Sequence, residues 1–246
     1  MPGVVNDRPT VSIVIPAYNE AARIGDSIRK VHEFVRQSPL SIEVIVVDDG
    51  SVDSTRDIVC ANSQDSVRLL LNGENHGKGY SVRQGVVNAT GTWVLFTDAD
   101  LSAPIDELQK LFDVATSEDA DIVIGSRAVD RSYIEKHQNR FRELGGMFFN
   151  LMVRLLLGLK LNDTQCGFKL FKRDRTTAVF EKQTTDGFGF DPEILFIAAK
   201  RGLKIREVPV RWSHSEGSKV SFLRDGTRMF ADLVRIRWNY LLGRYS

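Results

Sequence analysis

Apolar residues in the first half of the chain gather into five short runs: VSIVI at 11–15, IEVIVV at 42–47, VRLLLN at 67–72, TWVLFTDAD at 92–100 and DIVIGSR at 121–127. Their apolarity is continuous rather than alternating, the pattern of parallel strands covered on both faces. Pro16 is expected to stop the first. Between the runs, apolar residues recur at helical spacing over roughly 20–36, 53–63, 77–89 and 104–117. Strand alternating with helix predicts an α/β fold with a mostly parallel, Rossmann-like central sheet flanked by helices. Polar clusters follow four strands: PAYNE, DDGS, TDAD and GSR. Ligands of open parallel sheets bind beyond the carboxyl ends of the strands, so the four clusters are expected to converge on one site.

The pattern changes near residue 130. RSYIEKHQNRFRELGG is polar and Arg-rich, and reads as a loop running into a helix. Residues 148–161 are almost wholly apolar, with Asn150, Arg154 and Gly158 forming one narrow stripe. The segment is shorter than the roughly 20 residues that span a bilayer. Two readings stand: a buried core helix, or a helix partly sunk in a membrane interface. Residues 222–245 predict a C-terminal amphipathic helix, packed on the domain or serving as a membrane foot. Arg228, Asp232, Arg235 and Asn239 share one face, and Met229, Leu233, Ile236 and Tyr240 another. Arg237 falls inside the apolar sector, and Trp238 and Tyr240 suit a headgroup boundary.

The 246 residues, 42% of them hydrophobic, allow one large domain or two small ones. The net charge of +1 hides an asymmetry: residues 1–130 hold 11 Lys+Arg against 20 Asp+Glu, and residues 131–246 hold 22 against 12. An acidic first half suits cations or ligands that bring one, and a basic second half suits anions. Basic and aromatic residues do not interleave there, which disfavours nucleic acid. Cys60 and Cys166 make no disulfide framework, so a reducing compartment is expected. Residues 1–10 hold no apolar stretch of a secretory leader, and none is expected.

The candidate chemistry centres on Asp98 and Asp100, one residue apart at a strand end. Such a pair facing a crevice suits a hard divalent cation, Mg²⁺ or Mn²⁺, bridging a diphosphate. The alternative, capping of the next helix, already has Ser102 as a candidate. Asp48 and Asp49 of DDGS offer acceptors to a base or a ribose, while Ser51 or Asp53 is placed to cap the following helix. NHGKGYSVRQG brings two glycines and Lys78 ahead of a helix without the spacing of a Walker motif. No G-x-G-x-x-G follows the first strand, which argues against a dinucleotide dehydrogenase. Cys166 has no histidine near it in sequence, so a catalytic thiol is not expected.

The order PAYNE, VVDDGSVDST, NHGKG, TDADL, GSR resembles the family 2 glycosyltransferases of the GT-A fold. DTQCGFKLF, GFGFDPEILFIA, VPVRWSHSEGSKV and DLVRIRWNYLLG are similar to the dolichyl-phosphate β-glucosyltransferases and, less closely, to the dolichyl-phosphate mannose synthases. The resemblance implies one GT-A catalytic domain over 1–221, with a nucleotide-sugar half at about 9–127 and an acceptor half at 128–221, followed by the helix at 222–246. It implies that Pro16, Tyr18 and Glu20 line a nucleotide pocket, with Asp49 and Ser51 near base and ribose and Lys78 on the donor. Asp98 and Asp100 would hold the metal and donor diphosphate. Mannose synthases commonly place a metal-binding glutamine where this chain has Ser102. Arg127 would meet phosphates of donor or acceptor, Arg140 and Arg142 would grip a lipid phosphate, and His214 and Lys219 would sit on a closing loop.

The resemblance therefore implies an inverting transfer of a hexose, glucose from UDP-glucose being favoured, to a polyprenyl phosphate. The work would be done by a peripheral protein on the cytoplasmic face of a membrane. The alternatives are a GDP-mannose-dependent enzyme of the same kind, or a soluble glycosyltransferase with a sugar hydroxyl acceptor. A phosphomonoester is largely dianionic at neutral pH, its second pKa being about 6, so it needs cations for placement rather than a protein base. A hydroxyl acceptor would need one, and Asp191 is the candidate, against the simpler roles of capping at Pro192 or orienting Lys219. Gln165 and Lys169 are placed to shape the acceptor pocket, and Gly167 to permit a tight backbone.

Overall fold

The computed structural model describes residues 8–62, 67–136, 140–214 and 222–245. Strands β1 (Val11–Ala17), β2 (Ile42–Asp48), β3 (Val67–Leu71), β4 (Trp93–Thr97) and β5 (Ile122–Ser126) form where the apolar runs predict them. β7 (Phe168–Lys172) and β8 (Ile205–Pro209) complete a seven-stranded sheet of order β3-β2-β1-β4-β7-β5-β8. β6 (Ile134–Lys136) and β9 (Trp212–Ser213) pair separately.

Side chains on a strand alternate between faces, and here each face meets its own helices. Ile13, Ile15, Val44 and Val46 pack on α1 (Ile24–Gln37), α2 (Thr55–Asn62) and α4 (Glu107–Ser117) through Ile28, Val59, Leu108 and Leu111. Val14, Ile45, Val47, Val94 and Phe96 point the other way, towards α3 (Lys78–Asn88), α6 (Arg173–Glu181) and α7 (Phe190–Lys200). Both faces being covered, the central strands are apolar on both faces over most of their length.

Pro16 does not stop β1, which continues to Ala17. β4 pairs with β1 only over Val11–Val14, so the missing N–H of Pro16 falls where β1 has β2 alone as a neighbour. Nor does Ser102 cap the next helix. α4 begins at Glu107, with Asp106 at the cap position making no side-chain cap bond. Ser102 is instead held in the loop, its N–H donating to Asp100 Oδ1 at 3.0 Å and its C=O accepting from Ser213 N at 2.8 Å.

The apolar segment at 148–161 divides its side chains between the core and the surface. Helix α5 (Arg140–Leu157) ends at Gly158, whose φ is +71°. Val153 and Leu157 are buried in the core, whereas Leu144, Met147, Phe148, Leu151 and Leu155 are exposed. The polar stripe faces neither: Asn150 Nδ2 and Arg154 Nε donate to the Leu161 carbonyl at 3.1 and 3.0 Å, fastening the following loop to the helix. α5 packs against α8 (Phe222–Leu241), which buries Leu233 and Ile236 in the same core cluster. Phe230, Val234, Trp238 and Leu241 of α8 are exposed. Among the described residues no helix is long and apolar enough to cross a membrane.

Candidate active site

A cleft of about 770 Å³ opens at the carboxyl ends of β1, β2 and β4. Pro16, Tyr18 and Glu20 after β1, Asp49 after β2, Asn75–Lys78 entering α3, and Asp98 and Asp100 after β4 all line it. Three of the four polar clusters therefore converge as expected. The fourth does not. Antiparallel β7 lies between β4 and β5, so the GSR cluster is displaced by two strand spacings, about 10 Å. Arg127 does not line the cleft. Its Nε and Nη2 donate to the two oxygens of Asp163 at 2.7 and 2.8 Å, and its guanidinium lies 5.4 Å from the Trp212 ring. Burial opposes the Asp163 charge, but Arg127 outweighs it and holds the carboxyl at about 2.

Asp49 is buried, and its oxygens are already filled. Oδ1 accepts from Asn72 Nδ2 and His76 N at 2.8 and 3.2 Å, and Oδ2 from Asn75 Nδ2 and Gly77 N at 3.0 and 2.8 Å. A carboxylate offers about four acceptor sites, and those of Asp49 hold the 72–77 loop in shape at the wall of the cleft. Gly77 has φ +109°, and a Cβ there would run into the Asp186 carbonyl. Ser51, unlike Asp49, does not line the cleft: its Oγ accepts from Asn19 N at 2.9 Å and braces the turn after β1. Asp53 bonds Thr55 at the start of α2 and Ala21 N as well, joining the same brace. Glu20 receives Arg23, which sits 3.8 Å from Asp100.

Lys78 Nζ lies 2.6 Å from Asp98 Oδ1 and 5.1 Å from the Phe96 ring. Burial works against the ammonium, yet Asp98, Asp191 and Asp100 outweigh it and raise its pKa. Asp100 is pushed the other way from ionisation, first by burial and then by the Asp98 charge, so its carboxyl titrates above the usual range. Two crowded carboxylates facing a cleft, one of them under-compensated, are an arrangement that a hard divalent cation relieves. Asp98 and Asp100 therefore fit such an ion. Among the described residues no third His, Cys, Asp or Glu joins them as a ligand cluster.

Gly167, the second residue of the CGF triplet, explains where the Asp98 carboxylate rests. The Asp98 N–H donates to the Gly167 carbonyl at 3.2 Å, and a Cβ on Gly167 would overlap the Asp98 carboxylate. Gly167→Ala should therefore displace Asp98 from Lys78. We expect at least a tenfold loss of activity, larger than the loss of thermal stability would explain, in melting and turnover measurements on one preparation. Unchanged turnover would show that the Asp98 position does not matter.

Beneath the cleft lies a buried pair. Lys169, fully buried, donates to Asp191 Oδ1 and to the Cys166 carbonyl, each at 2.5 Å. Burial raises the Asp191 carboxyl, opposed by Lys169 and Lys78. Asp191 does not line the cleft, and Lys169 shapes no pocket surface. Burial pushes the Cys166 thiol up to about 12, which leaves it inert. His214 stacks on Trp212 at 6.1 Å, one residue from the Ser213 N–H that grips Ser102. Arg140 and Arg142 stand in the first turn of α5 with side chains outside the described residues, as is all of Lys219.

The cleft also has a wall that the strand-end motifs do not reveal. Arg228, Met229, Ala231, Asp232 and Arg235 of α8 line it, next to Thr185, Gly187 and Phe188. A wheel of the C-terminal segment already puts Arg228, Asp232 and Arg235 on one face. Nothing in the sequence says that this face closes a cleft built more than 100 residues earlier.

The family model for Glycosyl transferase family 2 matches residues 12–180. A dolichyl-phosphate beta-glucosyltransferase of Dictyostelium discoideum is 34% identical over 96% of this chain and 76% of its own length. The dolichyl-phosphate beta-glucosyltransferase of Homo sapiens is 32% identical over 97% of this chain and 79% of its own. Among solved structures, mannosyl-3-phosphoglycerate synthase from Rubrobacter xylanophilus superposes with TM-score 0.70 at 23% identity, covering 96% of this chain and 75% of that one. Glucosyl-3-phosphoglycerate synthase from Mycobacterium tuberculosis, in complex with Mn²⁺, UDP and glucosyl-3-phosphoglycerate, superposes with TM-score 0.69 at 20% identity, covering 97% and 80%. At these identities the structural likeness is one of fold.

Proposed function

Since the chain belongs to the family 2 glycosyltransferases, with a GT-A-type α/β fold, we propose that it moves glucose from UDP-glucose to a polyprenyl phosphate of the dolichyl type. The product is a β-linked lipid-phosphate sugar. Pro16, Tyr18 and Glu20 bound the nucleotide end of the cleft, and Asp49 acts by shaping the 72–77 loop against it. Lys78 supplies a fixed positive charge to the donor diphosphate. Asp98 and Asp100 would hold Mg²⁺ or Mn²⁺, which when bound offsets charge on the departing diphosphate. In-line attack by the acceptor phosphate inverts the anomeric centre. His214 and Lys219 belong, in this reading, to a loop that covers the diphosphate, and Arg140 and Arg142 to the approach of the lipid.

The observation that best supports a lipid acceptor is the surface beside the cleft. α8 turns one face into the cleft, while Phe230, Val234, Trp238 and Leu241 face outward. α5 packs against it with Leu144, Met147, Phe148, Leu151 and Leu155 equally uncovered. Rimmed by the basic second half of the chain, this surface suits peripheral attachment to a membrane. A polyprenyl chain then stays in the bilayer while its phosphate enters the cleft.

The test is a donor screen with a short-chain polyprenyl phosphate and Mg²⁺ or Mn²⁺, reading nucleotide release, alongside co-sedimentation with anionic vesicles. UDP-glucose should turn over, with a rate that rises through the acceptor's own second pKa, about 6. Vesicle binding should weaken but persist at high salt, because the apolar part is unscreened. Efficient glycosylation of a sugar hydroxyl, with no vesicle binding and no use of the phosphate, would overturn the reading.

A further inference from the structure

Arg127 is paired with Asp163 and does not line the cleft. Three guanidinium groups line the described part of the cleft: Arg23, which is held by Glu20, and Arg228 and Arg235, two turns apart on α8. Resting on the phosphate-acceptor reading above, we propose that Arg228 and Arg235 form the seat of the acceptor's phosphomonoester.

The helix that carries them is fixed in place. Leu233 and Ile236 are buried in the core, and Asn239 Nδ2 donates to Thr184 Oγ1 at 3.2 Å. Beyond the helix, Tyr245 donates to Glu193 Oε1 at 2.6 Å, which anchors the C-terminal end to α7. On the cleft side Gly189 admits the helix closely, since a Cβ there would overlap the Asp232 carboxylate. The helix is thus braced from Asp232 onward, one turn beyond Arg228.

Their charges are not equivalent. Arg235 shares its charge with Asp232 at 2.9 Å, and its Nη2 donates to Thr185 Oγ1 at 3.3 Å. Arg228 makes no ion pair or hydrogen bond among the described residues, although it lines a cleft that also holds Glu20, Asp49, Asp98 and Asp100. An unpaired guanidinium in a cleft rich in carboxylates is placed for an anion that enters later. Its planar fork matches phosphate oxygens. Asp232 keeps Arg235 oriented and reduces its pull, so Arg228 takes the larger share. The opposite face of the same helix is apolar and exposed at Phe230 and Val234.

The experiment is steady-state kinetics on Arg228→Ala, Arg228→Lys and the double variant Arg228→Ala/Arg235→Ala. The acceptors are farnesyl phosphate and glycerol 3-phosphate, with inorganic phosphate as competitor. Losing a charged hydrogen bond should raise the acceptor KM about 10- to 100-fold, with a further rise in the double variant. The KM for the nucleotide sugar should stay where it is, Arg228→Lys should recover part of the loss, and inorganic phosphate should inhibit the alanine variants less. Loss with both acceptors marks a seat for any phosphomonoester; use of farnesyl phosphate alone, with the same loss, marks a lipid headgroup as the source. Unchanged acceptor KM in the double variant, or equal rises for donor and acceptor, overturns the assignment while leaving the phosphate-acceptor reading intact. A wild-type enzyme that uses neither phosphate overturns both. Arg228 is exposed, so its variants should melt with wild type, and that control separates an unfolded sample from a lost contact.

Discussion

Asp100→Ala is expected to abolish turnover and leave the protein folded. Among the described residues its carboxylate accepts from Ser102 of its own turn and lies 3.8 Å from Arg23, contacts that leave the core untouched. Burial and the Asp98 charge both disfavour its ionised form, and removing it relieves that repulsion. Melting should therefore stay level or rise slightly. Electrostatic groups aimed at developing charge contribute about 10²–10³-fold each to kcat, and a ligand of a required cation contributes more. Asp98→Ala should be as inactive but less stable, because it also strips Lys78 of its 2.6 Å partner. Paired turnover and melting curves check both variants, with Mn²⁺ binding read by calorimetry. Full activity of the wild type in excess chelator would refute the metal assignment.

The first five strands and four helices were legible because each strand is apolar on both faces and each helix keeps its period. The site was legible where motifs follow parallel strands whose order can be anticipated. It was not legible at GSR. The segment FKLFK is short and carries two lysines among its apolar residues, which hides that Phe168, Leu170 and Phe171 are core residues and Lys169 is too. Missing that strand means missing the antiparallel insertion that separates β5 from β4 and turns Arg127 to Asp163.

Asp49 illustrates a different limit. Its acidity and its place after β2 were plain, but its partners, Asn72, Asn75, His76 and Gly77, are 23 to 28 residues away. Whether a carboxylate binds a ligand or a loop depends on which donors fill it, and that is a property of packing. Helix α8 is the same case at larger scale. Its amphipathic pattern was readable, yet an amphipathic face has no address until the core it buries against is known. The apolar stretch at 148–161 was ambiguous for the same reason, and it divides its residues between the core and an exposed face.

Lys169→Met should be strongly destabilising. The ammonium is fully buried, and its charge is balanced by Asp191 at 2.5 Å and the Cys166 carbonyl. Removing one member of a buried pair leaves the other charge uncompensated and costs about 3–5 kcal/mol. For a domain of this size that is a fall of roughly 6–20 °C in Tm. Asp191→Asn should cost a similar amount by stranding Lys169, so its activity has to be expressed per folded molecule. On that basis kcat should fall less than tenfold. A general base contributes about 10²–10⁴-fold, but a carboxylate that is 3% exposed and already bonded to an ammonium is not placed to reach an acceptor proton. The double variant Lys169→Met/Asp191→Leu removes both charges together and should recover most of the lost stability, as buried pairs replaced by apolar side chains do. Urea midpoints at constant slope measure the cycle. A double variant no more stable than either single would mean that the pair does not act as a unit. A hundredfold loss of kcat in folded Asp191→Asn would make Asp191 the base and the acceptor a hydroxyl.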